Sequence, residues 1–403
     1  MLGALSGCIF CCTLGGMNPA LTELDATALA ALGPLAEQAV GLSDPNPRVG
    51  CRIVTQDGRH FDGYTQRAGD AHAEVMALRA AREAGAPLQG ATVYVSLEPC
   101  SHHGRTPPCC DALVAAGVAR AVVGLPDPNP LVGGRGLERL RAGGVVVDVL
   151  PAAHPVAQAV AALNVGFLHR MRTGLPWVRM KAAASLDGVT ALPNGQSQWI
   201  TGADARANGH AWRKRAGAVL TGIGTVLSDD PQLDVRLVPT EVQPLRVVVD
   251  SRLEIPLSAK VLRAPGKVLV YTAGPEASRD TPENTDLKRA ALRDLGIAVV
   301  DLPGPGQKVD LPALVQDLGR REVNELHLEA GSKLNGSFLR AGLVDELLVY
   351  LAPLLLGQGA PLATLEALDQ LPNRAAWQFL PPQAVGTDVL LRAVRADRAA
   401  PTA

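Results

Sequence analysis

The sequence predicts an α/β protein of two domains, and three observations carry that prediction. Apolar stretches of strand length alternate with helical stretches through both halves of the chain. A length of 403 residues suits about two cores. Between residues 150 and 175 an Ala-rich stretch gives way to Phe167-Leu168-His169-Arg170-Met171-Arg172-Thr173-Gly174-Leu175, followed by Pro176, and this change of character marks a boundary. The expected division is an extension over 1–24, a first domain over 25–165 and a second over 166–403.

Taken in order, residues 26–41 read as a helix ending at Gly41, and Asp44-Pro45-Asn46-Pro47 reads as a turn. Val49 to Thr55 is a strand, and Ala73 to Arg82 a strongly helical run. The strand from Ala91 to Leu97 leads straight into Pro99-Cys100. A helix opens at Cys109 behind Pro107-Pro108 and stops at Gly117. The strand from Ala119 to Leu125 ends in a second Asp127-Pro128-Asn129-Pro130 turn. In the second half, strand 177–183 is followed by helix 204–215, strand 218–221 and a Gly222-Ile223-Gly224-Thr225 turn. Strands 245–250, 267–271, 297–301 and 325–329 follow, and apolar strands 345–351 and 388–393 close the chain. That order implies a largely parallel sheet with an antiparallel edge.

Composition narrows the function classes. Hydrophobic residues make up 47% and charged residues 19%, so sizeable cores are expected and disorder is not. Net charge is −1 with no long basic run, which disfavours a nucleic-acid surface. All seven cysteines lie at or before position 110, which is no disulfide framework and points to a reducing, cytoplasmic compartment. At the N-terminus, Leu5-Ser6-Gly7-Cys8 resembles a lipoprotein processing box and Cys8 to Cys12 a metal or redox pair. No basic residue precedes them and the apolar run is too short for a signal peptide, so an unstructured or misassigned extension is expected, with Met17 an alternative start. No stretch reaches the ~18 apolar residues of a membrane span.

The chemistry concentrates between residues 72 and 109. His72-Ala73-Glu74, followed by Pro99-Cys100 and Cys109, is the arrangement of zinc-dependent nucleobase deaminases. One imidazole and two thiolates hold Zn²⁺ and leave a fourth position for water. Glu74 is the candidate proton shuttle. Residues two apart in mid-helix point about 200° apart, but in a first turn both reach a site beyond the helix end. Cys109 also opens a helix, so two N-termini aim at one point and favour thiolates there. Each residue alone has a blander reading, as a surface histidine, a helix-end acid or an inert buried cysteine. Their joint order favours a catalytic zinc site, with Cys110 read as packing.

Other signals stay open at this level. The two Asp-Pro-Asn-Pro turns are either plain punctuation or a means of presenting Asn46, Asp127 and Asn129 to a heterocycle. Gly222 to Thr225 and Glu329-Ala330-Gly331-Ser332-Lys333-Leu334-Asn335-Gly336-Ser337 suit phosphate or dinucleotide contacts, but neither is a G-x-G-x-x-G fingerprint. Trp199 and Arg213 default to a core aromatic and a solvated helix charge.

The segments Asp44 to Gly50, His72 to Glu74, Pro99 to Cys110, Lys181 to Gly188, Ser197 to Thr201 and Glu329 to Gly331 together resemble the bifunctional riboflavin-biosynthesis deaminase–reductases, from about residue 25 to 395. The long spacing between Cys100 and Cys109 is the specific part. The resemblance implies a cytidine-deaminase-like α/β/α sandwich followed by a dihydrofolate-reductase-like α/β domain. It implies removal of ammonia from a diamino-ribosylamino-pyrimidinone 5′-phosphate, then NADPH-dependent reduction of the ribosyl group to ribityl. By similarity His72, Cys100 and Cys109 bind zinc and Glu74 shuttles the proton. Asn46, His102, Arg105, Asp127 and Asn129 match deaminase substrate positions, Arg105 standing where some members have Lys. Ala183, Trp199, Thr225, Asp229, Ser251, Gly331, Ser332, Lys333, Leu334, Asn335, Gly336 and Ser337 fall at NADPH positions. Ser197, Arg213, Leu233, Arg236 and Glu329 fall at reductase substrate positions. The expected partners are small phosphorylated pyrimidines and further copies of the chain, with neither nucleic acid nor membrane.

Two competing readings make different demands. A nucleic-acid base deaminase with an appended binding domain calls for the shorter Pro-Cys-x-x-Cys spacing and an aromatic-studded basic face, yet aromatics are 3%. A structural zinc module has no need of Glu74.

Overall fold

The computed structural model describes residues 21–101, 107–129, 133–370 and 376–398. Helices α1 (Glu23–Ala30) and α2 (Leu32–Glu37) open it, with a capping box between Thr22 and Asp25. They replace the single helix expected over 26–41. Pro34 has no N–H to give to Ala30, which breaks a continuous helix there. The first domain continues through β1 (Gly50–Val54), β2 (His60–Tyr64), α3 (Ala73–Glu83), β3 (Thr92–Val95), α4 (Cys109–Ala115) and β4 (Arg120–Val123). Next come α5 (Arg135–Ala142), β5 (Val146–Val149), α6 (Pro155–Leu163) and α7 (Val165–Thr173).

The sheet order is β2-β1-β3-β4-β5, antiparallel at β1 and parallel from β3 onward. Side chains of a strand alternate between faces. Cys51, Ile53, Val93, Val95, Ala121 and Val123 therefore pack against Ala77, Leu78, Leu113 and Leu140 of α3, α4 and α5. Val54, Tyr94 and Val122 face the other way, onto Leu29, Leu32 and Ala157 of α1, α2 and α6. These three layers are the expected sandwich.

The second domain begins with β6 (Trp177–Ser185), β7 (Val189–Ala191), α8 (Ala203–Arg215), β8 (Ala218–Gly222), α9 (Ile223–Asp229) and β9 (Leu245–Val249). It proceeds through α10 (Lys260–Arg263), β10 (Val268–Thr272), α11 (Pro282–Asp294), β11 (Ala298–Asp301), β12 (Pro303–Gly304), β13 (Lys308–Val309) and α12 (Leu311–Arg320). It ends with β14 (Glu325–Leu328), α13 (Ser332–Arg340), β15 (Glu346–Ala352), β16 (Ala360–Pro361), β17 (Trp377–Phe379), β18 (Gln383–Val385) and β19 (Asp388–Arg395). The main sheet runs β11-β10-β9-β8-β14-β6-β15-β19-β17, with β18 also on β19. It is parallel from β11 to β15 and antiparallel at β19, the expected edge.

The junction is set by packing. Phe167 and Leu168 of α7 lie in the first domain's core, and Gly174 ends α7 in the left-handed region at φ 76°. We therefore propose that the domains part after α7, near Gly174–Pro176, and not between 165 and 166. The two are joined by buried charge. Glu325 of β14 meets Arg48 of the first domain at 2.7 Å, Arg179 at 2.7 Å and Arg215 at 2.8 Å. Burial would raise the Glu325 carboxyl, but Arg215, Arg48 and Arg179 overcome it and hold the group well below its ordinary value of 4.5.

Removing this carboxylate strands three guanidiniums. Glu325→Ala is expected to cost about 3–5 kcal/mol in urea unfolding near neutral pH. Because the folded group's pKa is depressed, its contribution is complete above the ordinary glutamate value and is lost as pH falls through the folded one. The gap between wild type and variant should therefore narrow only in acid.

Candidate active sites

His72 is the N-cap of α3, extended at φ −76° and ψ 166°, and its imidazole makes no capping hydrogen bond. It is thus free to turn beyond the helix end. Cys109 is the first residue of α4, behind Pro108. Cys100 lies in the loop after β3. The Nδ1 of His72 stands 3.6 Å from the Cys100 Sγ and 3.3 Å from the Cys109 Sγ. The Cys109 backbone N–H donates to the Cys100 Sγ at 3.3 Å. Two glycines permit this convergence. A Cβ on Gly63 of β2 would lie 2.2 Å from the Ala73 carbonyl, and one on Gly136 would lie 2.1 Å from that of Pro99. Cys110 packs, as expected, and donates its thiol to the Cys100 carbonyl.

Charge is tuned at the same point. Cys100 is pulled down to about 4 by the Cys109 thiol and by His72, and Cys109 is raised, so the pair shares one proton. His72 is raised by its contact with Cys100. Burial, with the negative Cys100 beside it, pushes the Glu74 carboxyl up to about 7. The donor set fits zinc. The three ligand atoms lie within 4.8 Å of one another. Tetrahedral zinc with ordinary bond lengths sets sulfur and nitrogen about 3.5 Å apart, close to the distances found here.

A cavity of about 410 Å³ opens onto His72, Glu74 and Cys100 and is lined by Asn46, Asp127 and Asn129. Both Asp-Pro-Asn-Pro turns thus meet at the site. His102 and Arg105 lie outside the described residues. Sequence reasoning missed Glu98, which is buried and accepts from the backbone N–H groups of Asp127, Gly134 and Gly136 at 3.1, 3.1 and 2.9 Å. It ties the Pro99-Cys100 loop to the Asp127 loop and to the start of α5. Its place directly before Pro99-Cys100 was the one available signal. Also missed were Phe167, Arg170 and Met171 of α7 and Glu322 of the second domain, which complete the wall.

The second domain holds a cavity of about 550 Å³. Gly222 to Thr225, expected as a turn, is instead the N-cap and first turn of α9. Thr225, Ser251, Gly331, Ser332, Lys333, Leu334 and Ser337 line this cavity, as do Arg252 and Lys308. The start of α13 has no side-chain cap, so its first N–H groups are available to an anion. With Arg252, Lys308 and Lys333 around it, the cavity suits a phosphate-rich dinucleotide such as NADPH. Asn335 and Gly336 sit on the opposite face of α13. The Asn335 amide donates to the Leu362 carbonyl, and a Cβ on Gly336 would lie 2.0 Å from that of Thr364. Asp229 is exposed at the far end of α9, and neither it nor Ala183 nor Trp199 lines the cavity. Trp199 is no core aromatic. It is 67% exposed, with the Arg206 guanidinium 4.6 Å from its ring.

Arg213 is likewise no solvated charge. It pairs through two nitrogens with Glu329 at 2.6 and 2.8 Å and donates to the Asp234 carbonyl. His327 stands 3.2 Å from Glu329. Burial would raise Glu329, but Arg213 and His327 hold it well below the usual range. Lys181 on β6, whose pKa burial lowers, feels Glu329 and lies 5.8 Å from the Tyr350 ring. The Arg236 backbone N–H donates to His210, and its side chain pairs with Asp234. Leu233 is buried at φ 56°, and Ser197 is half-buried.

Residues 23–125 match the family model of the cytidine and deoxycytidylate deaminase zinc-binding region, and residues 176–391 match that of the RibD C-terminal domain. Riboflavin biosynthesis protein RibD of Escherichia coli (strain K12) is 44% identical over 376 residues, covering 90% of this chain and 97% of its own. The chain belongs to the RibD family. RibD of Aquifex aeolicus is 39% identical over 86% of this chain and 91% of its own. The solved RibD of Acinetobacter baumannii superposes with a TM-score of 0.80 at 39% identity, covering 93% of this chain and 99% of its own. As a RibD-family protein it is a bifunctional deaminase and reductase of riboflavin biosynthesis, with a zinc-binding first domain and an NADPH-dependent second one. The nucleic-acid deaminase reading is set aside.

Stripping zinc with a chelator is expected to abolish ammonia release and leave NADPH oxidation on deaminated substrate within about twofold, since the three ligand residues lie in the first domain and every residue lining the second cavity lies in the second. Zinc re-addition should restore the first activity, as followed by metal analysis and both assays.

Proposed function

We propose that the two heads act in sequence on one phosphorylated pyrimidine. The first removes ammonia from 2,5-diamino-6-(5-phosphoribosylamino)pyrimidin-4(3H)-one. The second reduces the ribosyl group of 5-amino-6-(5-phosphoribosylamino)uracil. A solved Thermotoga maritima protein named for this deaminase and reductase pair has a TM-score of 0.80 to this chain at 28% identity. The observation that carries the reading is that His72, Glu74 and Cys100 share one cavity with Asn46, Asp127 and Asn129.

Zinc, held by His72, Cys100 and Cys109, supplies an activated water when bound. Glu74 does the proton work. Buried on the same cavity as His72 and Cys100, it takes a proton or gives one to departing ammonia. The amides of Asn46 and Asn129 offer donors and acceptors to the ring edge, and the Asp127 carboxylate accepts. In the second head NADPH supplies hydride. The N-termini of α9 and α13 bind its phosphates, with Lys333 and Arg252 near. Arg213 and Arg236 receive the substrate phosphate, Ser197 and Leu233 shape the same side, Glu329 stays ionised against Arg213, and Lys181, whose pKa burial lowers, gives the proton to the sugar. A homo-oligomer in the cytoplasm fits the exposed Leu354, Leu355, Leu365, Leu368 and Phe379, apolar surface for a second copy to cover, and the free cysteines. Among the described residues no helix is long and apolar enough to cross a membrane.

Zinc-loaded Glu74→Gln is expected to release ammonia about 10²–10⁴-fold more slowly than wild type and to oxidise NADPH normally on the deaminated substrate. Equal ammonia rates would remove Glu74 from its role. Given the diamino substrate without NADPH, wild type should stop at the uracil, and with NADPH it should reach the ribityl product.

A further inference from the structure

The loop that brings Asn46 to the deaminase cavity is held from the other domain. Asn324, at the entry to β14, donates its amide to the Asp44 carboxylate at 2.9 Å and to the Pro45 carbonyl at 3.0 Å. Its amide oxygen accepts from Arg170 at 2.7 Å, and Arg170 lines the same cavity. One residue on, Glu325 clamps Arg48 at the loop's far end. The Arg48 guanidinium also donates to the Leu163 and Arg215 carbonyls, and its backbone is pinned to Asn164. Every one of these partners is side chain or backbone from beyond residue 160. Closer in sequence, Ser43 bonds to the Asn46 carbonyl and Arg48 to the Asp44 carboxylate, both within the loop itself.

We propose that Asn324 is a positioning residue for the deaminase. From inside the reductase domain it fixes where residues 44–48 stand, and so how tightly the first head binds its pyrimidine. The proposal rests on the reading of the 410 Å³ cavity as the deaminase substrate site. Asn324 touches no reacting atom and acts through Asp44 and Pro45. Just past the far end of the same strand, about 16 Å away at 3.3 Å per residue, Glu329 pairs with Arg213. The side-chain partners of Asn324 are Asp44, Pro45 and Arg170, none of which lines the second-domain cavity, so a change at Asn324 reaches the loop without touching that cavity.

The test uses full-length, zinc-loaded protein. Asn324→Asp sets a second carboxylate against Asp44 where a donor stood. It is expected to raise the deaminase KM about tenfold with kcat, zinc content and NADPH oxidation on the deaminated substrate within about twofold. Adding Asp44→Asn restores a donor facing an acceptor and is expected to bring KM back to within about threefold of wild type. An unchanged KM, a fall in kcat alone, or a raised KM that Asp44→Asn fails to recover each overturns the proposal. Should Asn324→Asp not accumulate folded, Asn324→Ala is measured in the same way, and an unchanged KM again overturns it. Asn46→Ala separates the underlying reading. If its KM is normal, Asn46 is not a substrate contact, and the Asn324 variants still decide whether the loop is set from the second domain.

Discussion

The arrangement of the molecule depends on one buried carboxylate. Glu325 is 1% exposed and faces guanidiniums from Arg48, Arg179 and Arg215. Charges this far from water are tolerated only when every partner is in place, so such a cluster admits a narrow set of domain arrangements. Its arginines are satisfied in turn. Arg179 also pairs with Glu346, and Trp212 offers its ring to Arg179 at 4.6 Å and to Arg392 at 4.9 Å. The two heads are consequently not beads on a linker. The first domain's cavity has a wall from α7 and from Glu322, and the loop over residues 44–48 that borders it is anchored on Asn324 and Glu325 at the start of β14.

Within that frame both sites use helix beginnings. α3 and α4 bring His72 and Cys109 to one point, where N-terminal partial positive charge suits thiolates and an anionic oxygen. α9 and α13 bring helix starts without side-chain caps to the second cavity, beside Arg252, Lys308 and Lys333. The first site adds a metal-binding donor set and an acid poised near neutrality. The second adds Arg252, Lys308 and Lys333 around its cavity, and elsewhere in the same domain Arg213 and Glu329 form a part-buried ion pair. Different chemistry is obtained from similar local geometry by changing which side chains surround the helix ends.

Some of this was legible in the residues. His72, Glu74, Cys100 and Cys109 lie in one short stretch whose spacing and helix starts dictate convergence, so the ligand set could be named before any fold was known. The long apolar strands announced themselves by composition. The hairpin strand β2 did not, because His60-Phe61-Asp62-Gly63-Tyr64 buries only Gly63 fully. Glu98 had only its place before Pro99-Cys100 to mark it, and Arg170 and Glu322 had nothing, because their roles come from partners brought near only by folding.

The sequence by itself determined the class of fold and singled out His72, Cys100 and Cys109 as candidate ligands and Glu74 as the candidate proton shuttle, since these follow from local periodicity or from motifs at helix starts. Tertiary structure alone decided that Trp199 is exposed, that Arg213 is paired, that Asn335 and Gly336 turn away from the cavity, and that the second domain holds the first domain's loop over residues 44–48. Periodicity says which face of a helix or strand is apolar but not what packs against it. Several of the contacts that settle those questions join residues far apart in sequence, 27 positions for Asn335 with Leu362 and more than a hundred for Asn324 with Asp44 and Arg213 with Glu329.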